Sequence, residues 1–113
     1  DYMSYHPIKL DKVRNFRYGM KAINLIEKKY GKPIMEIDGI EDGKITMEDY
    51  ANLIWAGLAH EDPELTPEKV MDLVDEYSSI AKVSKIMWQA LNDVFKDVEG
   101  ETENKDVKVK NKK

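Results

Sequence analysis

Cysteine is absent from this 113-residue chain, and histidine and proline are scarce, with two and four residues. The lack of cysteine excludes disulfides, thiolate metal sites and a cysteine nucleophile, and it suits a reducing compartment. Long hydrophobic runs are also missing. Because a bilayer-spanning helix needs roughly 20 apolar residues in a row, we expect no membrane-spanning segment and no membrane partner.

An excess of positive charge is lacking too, since the net charge is −4. Nucleic-acid binding usually needs a basic surface that neutralises phosphates, so we expect no nucleic-acid partner. The chain is 42% hydrophobic and 35% charged, which suits one small core with a strongly solvated surface. We predict a single domain over residues 1–96. Apolar residues then become rare, and we predict a disordered charged tail over residues 97–113.

The motifs of common catalytic sites are missing as well. The sequence has no phosphate-binding glycine loop, no nucleophile elbow and no HExxH pattern. Of the two histidines, His6 and His60, the second stands at the end of a predicted helix, where an imidazole interacts favourably with the helix dipole. We therefore predict that the protein is not an enzyme and that it uses no cofactor.

Hydrophobic periodicity and capping residues predict a mainly α fold: a small bundle of about four helices, a short N-terminal strand or hairpin, and the disordered C-terminal tail. Gly31 is placed as a C-terminal cap, Thr46 and Thr66 as N-terminal caps, and Pro67 at a first helical position. The predicted elements are a strand or hairpin over residues 5–18 and helices over about 19–30, 46–60, 66–77 and 79–95.

The stretch DGIEDGKITMED, residues 38–49, looks like a calcium-binding loop, with Asp38, Asp42, Thr46 and Asp49 at ligand positions. The third position, however, is Ile40, which offers no oxygen ligand, and the twelfth is an aspartate instead of the usual bidentate glutamate. A turn at Gly43 and a helix cap at Thr46 explain the same residues. We therefore predict no metal site here and keep a calcium-responsive helical domain as the alternative hypothesis.

Two tryptophans point to a protein-binding surface. The last helix carries apolar residues over an arc of roughly 200°, about twice what an ordinary surface helix needs. Trp55 lies about 60° outside the apolar face of its own helix, a position typical of interface residues or of a ring packed at the edge of a neighbouring helix. The candidate protein-binding residues are Trp55, Leu58, Ile86, Met87, Trp88, Leu91 and Phe95.

Four blocks of sequence together resemble the tail assembly chaperones of long-tailed bacteriophages of Gram-positive hosts. The blocks are YGMKAINLIEKKYGKP, the AGL at Ala56–Leu58, LTPEKVMDLVDEY, and Ala90-Leu91 followed by Phe95, within Lys9 to Phe95. The resemblance implies a chaperone that binds the hydrophobic tape measure protein, keeps it soluble and helps to recruit tail tube subunits.

The same resemblance implies a place of action in the cytoplasm of the bacterial host and absence from the mature virion. It brings no catalytic residues and no binding motif that can be assigned to single positions. Tail tube protein and a second copy of the chain are further expected partners. A small helical virion or head–tail adaptor protein is the other alternative that the sequence leaves open.

Overall fold

The computed structural model describes the backbone of residues 5–110 and the side chains of residues 5–96. It confirms a mainly α fold of four helices behind an antiparallel hairpin. The elements in chain order are β1 (His6–Lys9), β2 (Val13–Phe16), α1 (Met20–Tyr30), a 3-10 turn (Ile34–Glu36), α2 (Met47–Leu58), α3 (Pro67–Tyr77) and α4 (Ile80–Lys110).

The last helix is longer than the sequence analysis predicts. Its expected end is near Phe95, whereas the backbone of α4 stays helical to Lys110. No proline follows Phe95 to stop it. The sequence predicts a disordered tail over residues 97–113. The side chains of residues 97–110, and residues 111–113 entirely, lie outside the described part of the chain, so the disorder of this tail stays a prediction.

The helix ends follow the capping residues. Gly31 ends α1 in the left-handed conformation, with φ 70°, and its amide donates to Glu27 O at 2.7 Å. Thr46 and Asp49 form a reciprocal capping box at the start of α2. The Asp49 amide donates to Thr46 Oγ1 at 3.0 Å, and the Thr46 amide donates to Asp49 Oδ2 at 3.1 Å. Thr66 Oγ1 accepts from the Lys69 amide at 3.1 Å. These local predictions are confirmed.

Helix α2 is the centre of the bundle. It packs against α1, α3, α4 and β2, and from Ala51 to Leu58 every residue except Trp55 is buried. The wide apolar arc predicted for the last helix is largely used inside the bundle, since Val83, Met87 and Leu91 of α4 are buried in the core.

The hairpin closes one end of α2. A Cβ at Gly57 would overlap the ring of fully buried Phe16, so only glycine lets β2 approach α2 this closely. The Arg17 amide donates to Gly57 O at 3.0 Å and so satisfies a carbonyl of the last helical turn. The buried guanidinium of Arg14 forms ion pairs with Asp11 at 2.9 Å and with Asp62 at 3.2 Å. These two ion pairs connect the hairpin turn to the α2–α3 loop.

The cap at Thr66 gives a direct test of this fold. Thr66→Ala removes the acceptor for the Lys69 amide, and we expect the free energy of unfolding to fall by about 1 kcal/mol. Urea denaturation measures the change. Ser84→Ala is the matched control, because the Ser84 hydroxyl bonds only to Ala81 O inside α4 and removing it should change stability little. Equal effects in the two variants would contradict the role of Thr66.

Candidate functional site

The two tryptophans hold the helices together. Each indole is half-buried, and each N–H is already satisfied within the chain. Trp55 Nε1 donates to Leu65 O at 3.0 Å, and Trp88 Nε1 donates to Tyr50 Oη at 3.0 Å. The Tyr50 and Trp88 rings also meet edge to face, 6.0 Å between centroids. Packing at the edge of a neighbouring element therefore explains both residues, and contact of their exposed edges with a partner stays a prediction.

The predicted protein-binding residues do not form one surface. Leu58, Met87 and Leu91 are at most 1% exposed, because they fill the core between α2 and α4. They are not available to a partner in the folded chain, and their assignment to a binding surface is wrong. Ile86 and Phe95 are half-buried on α4 and pack against the core cluster. The width of the apolar arc on α4 does not distinguish a core helix from an interfacial one, because the sequence does not reveal how deeply α2 is enclosed.

The residues of the calcium-like loop, 38–49, make core contacts and turns. Ile40, at the third position, is 2% exposed and belongs to the core. Gly39 and Gly43 turn the chain with φ 81° and 75°, and the Asp42 carboxylate accepts from the Lys44 amide at 3.3 Å. Within the part of the chain whose side chains are described, no three His, Asp or Glu residues come together as a metal site.

Asp49, the last of the calcium-like positions, belongs to a polar network between α1 and α2. Tyr30 Oη donates to Asp49 Oδ1 at 2.5 Å and accepts from Asn52 Nδ2 at 3.1 Å. Burial raises the pKa of Tyr30 to about 12, and the neighbouring carboxylate adds to the effect. Burial alone would raise the pKa of Asp49, but hydrogen bonds with Tyr30 and Thr46 outweigh it and lower that pKa below 3.8.

These opposite shifts predict how stability depends on pH. The lowered pKa of Asp49 gives stability that is present above its unfolded pKa, near 3.8, and is lost as pH falls through the folded pKa. The raised pKa of Tyr30 gives stability that is present below its unfolded pKa, near 10, and is lost as pH rises through about 12. Tyr30→Phe should therefore destabilise the protein most at intermediate pH and progressively less towards both extremes.

Urea denaturation across the pH range measures this difference between wild type and Tyr30→Phe. Tyr77→Phe serves as the control, because Tyr77 is 49% exposed at the end of α3, away from the network. A wild-type advantage over Tyr30→Phe that stays constant into the acid range would show that the Tyr30 hydroxyl does not interact with an ionised Asp49.

An apolar groove lies where α2, α3 and the start of α4 meet. We call it the methionine groove. It has a volume of about 190 Å³ and is walled mainly by hydrophobic atoms. Its lining residues are Met47, Tyr50, Ala51, Ile54, Val70, Met71, Val74, Asp75 and Ile80.

The rim of the methionine groove consists of apolar side chains that the fold leaves uncovered. Met47 in the first turn of α2 is 59% exposed, Met71 on α3 is 40% exposed, and Ile80 at the start of α4 is 37% exposed. None of the three is among the candidate protein-binding residues predicted from the sequence. The sequence does carry a signal for them, because each is a large apolar residue at a helix start or just beside the core stripe, where the fold covers it only in part.

Acidic side chains follow the same edge of α3. Glu68, Met71 and Asp75 stand at helical spacings of three and four residues and so share one face. All three are exposed, and Asp75 also lines the groove. On the α2 side, Glu48 follows Met47 directly and is exposed. Asp75 therefore places one carboxylate at the edge of the apolar groove, and Glu68 places a second on the same face of α3, which favours an occupant with positive charge beside its apolar side chain.

A second exposed surface lies on the other side of α2. Met20, the first residue of α1, is 91% exposed and borders a cleft of about 600 Å³. Arg17, Lys21 and His60 border the same cleft, while Ala56 and Ala59 contribute apolar surface to it. No acidic residue occupies the first turn of α1. We call this surface the Met20 face, and its charge is opposite to that of the groove rim.

Comparisons with protein-family models, curated proteins and solved structures find no match to this chain. The resemblance to tail assembly chaperones therefore stands on its four sequence blocks. No helix in the described part of the chain is both long and apolar enough to span a membrane.

Proposed function

We propose that the protein is a phage tail assembly chaperone that binds an apolar helical segment of the tape measure protein and keeps it soluble during tail tube assembly. The observation that carries this proposal is the methionine groove: an apolar hollow with two exposed methionines on an otherwise strongly charged chain. Exposed apolar surfaces of this kind commonly mark protein interaction sites.

The size of the groove limits what it holds. A buried cavity of about 150 Å³ accommodates a benzene molecule, so 190 Å³ suits one large apolar side chain and not a whole helix face. An amphipathic client helix would insert one anchor residue there and lie across the flanking surface of α3 and α4. Methionine is well suited to line such a site, since its flexible thioether chain adapts to anchors of different shape.

The acidic character of the chain supports the same role. A net charge of −4 keeps a small protein soluble while it covers an apolar client. Glu68 and Asp75 beside the groove favour client segments that carry lysine or arginine next to the apolar anchor. Recognition by one anchor and a charged rim gives weak, reversible contacts, which suit a chaperone that must release its client as the tube forms.

The experiment is co-expression with fragments of the tape measure protein encoded beside this chain. Met71→Asp places a charge in the groove, and we expect the fragments to shift from the soluble to the insoluble fraction. Gel analysis of the two fractions measures the change. Position 71 is exposed, so the variant should keep its fold, which circular dichroism checks.

Val13→Asp is the matched control, since it introduces the same charge at another exposed apolar position, on the hairpin. It should keep the fragments soluble. Trp55→Ala tests the earlier interface prediction in the same assay. If Met71→Asp solubilises the fragments as well as wild type does, the groove is not the client site. If wild type itself has no effect on any fragment, the chaperone proposal fails. A gene position between those of the tail tube and tape measure proteins is the matching genomic expectation.

A further inference from the structure

We propose that the free edge of β1 binds an extended, acidic segment of a partner protein, which adds a third strand to the hairpin. This surface lies outside the methionine groove, and the proposal does not rest on the chaperone function. Three features of the described chain carry it: unused backbone groups along β1, an apolar cleft beside them, and lysines at the cleft.

The hairpin has one covered edge and one free edge. On β2, the Asn15 amide donates to Glu61 Oε1 at 3.0 Å, and the Asn15 carbonyl accepts from His60 Nε2 at 2.7 Å. The backbone groups of Asn15 therefore point away from β1, and those of Pro7, opposite Asn15 in the register, point away from β2. The same alternation turns the backbone groups of Lys9 to the outer edge of β1.

The outer edge of β1 offers three backbone groups to a partner. They are the carbonyl of Pro7 and the amide and carbonyl of Lys9, and no hydrogen bond between described residues uses them. Both residues are exposed. Because proline has no amide hydrogen, Pro7 leaves no donor unpaired at this edge. A row of unpaired groups on an exposed strand is a template for a strand from another chain, so the occupant that fits is an extended segment.

A cleft of about 390 Å³ lies beside this edge, between β1 and the junction of α3 and α4. The buried residues Ile8, Leu10 and Val83 contribute apolar surface to it, and the more exposed Tyr77 and Ile86 line it as well. Since side chains alternate between the two faces of a strand, every second side chain of an added strand would meet this apolar surface. Ile86 is one of the protein-binding residues predicted from the sequence.

Charge selects an acidic occupant. Lys9 and Lys82 are exposed, and no carboxylate is among the residues that line the cleft. Asp11 in the hairpin turn accepts from Arg14 on both carboxylate oxygens, at 2.9 and 3.0 Å. Glu76 near the end of α3 is exposed but does not line the cleft. A segment in which carboxylates alternate with apolar residues therefore matches both the lysines and the apolar surface.

The same features disfavour a second copy of the chain as the occupant. If two β1 edges pair antiparallel with Lys9 opposite Pro7, the Lys9 carbonyl finds no amide donor. If they pair with Lys9 opposite Lys9, two like charges face each other directly. A different protein with an acidic strand has neither difficulty.

NMR titration of the isotope-labelled protein with a short synthetic peptide of alternating valine and glutamate tests the proposal. We expect the peptide to shift the Lys9 amide resonance and to slow the hydrogen exchange of this amide, because it becomes a donor to the added strand. Lys82→Glu should weaken peptide binding about tenfold, since it turns an attraction into a repulsion. Lys82 lies in the first turn of α4, where a carboxylate interacts favourably with the helix dipole, so the variant should keep its fold.

Lys44→Glu is the matched control, because Lys44 is exposed in the loop before α2 and does not line the cleft. This variant should bind the peptide like wild type. A peptide with lysine in place of glutamate should not bind. N-methylation of the glutamate amides removes the donors to the Pro7 and Lys9 carbonyls, and it should abolish binding.

The proposal is overturned if the acidic peptide leaves the Lys9 amide unchanged, or if the lysine peptide or the N-methylated peptide binds as well as the acidic one. Equal weakening by Lys44→Glu and Lys82→Glu would overturn it too, because the attraction would then not be local to the cleft. Protection of the Lys9 amide that rises with protein concentration in the absence of peptide would identify a second copy as the occupant and reject the acidic partner.

Discussion

The enclosure of α2 is the constraint on which the other elements depend. Seven of the eight residues from Ala51 to Leu58 are buried, and Trp55 is the one partly exposed residue of this stretch. A helix of this kind needs neighbours all around it. The hairpin, α1, α3 and α4 supply them, and Gly57 allows the hairpin to approach within contact of the Phe16 ring.

The same arrangement leaves the methionine groove. The first turn of α2 extends past the enclosed part, and Met47 there remains 59% exposed. Helix α3 covers the middle of α2 through Val70 and Val74, and the chain then breaks at Ser78-Ser79 before α4 begins. The groove is the space between the uncovered start of α2 and this break.

Local signals were readable from the sequence, and contacts between distant segments were not. The caps at Thr46, Thr66 and Gly31 depend on residues within four positions of each other, and the structure bears them out. The partners of the tryptophans depend on tertiary packing. Trp55 lies beside the apolar stripe of α2, as its spacing indicates, but its indole reaches Leu65 O in the following loop. Periodicity reports the face on which a residue lies, and it does not report which element covers that face.

Methionine at both candidate surfaces also has a physical consequence. Met20, Met47 and Met71 are exposed, and each could have been a polar residue at little cost to the fold. Leucine or isoleucine at the same positions would offer similar apolar area with fewer side-chain conformations. Methionine keeps three flexible bonds and a polarisable sulfur, so a surface lined by methionine can adapt to apolar side chains of different shape.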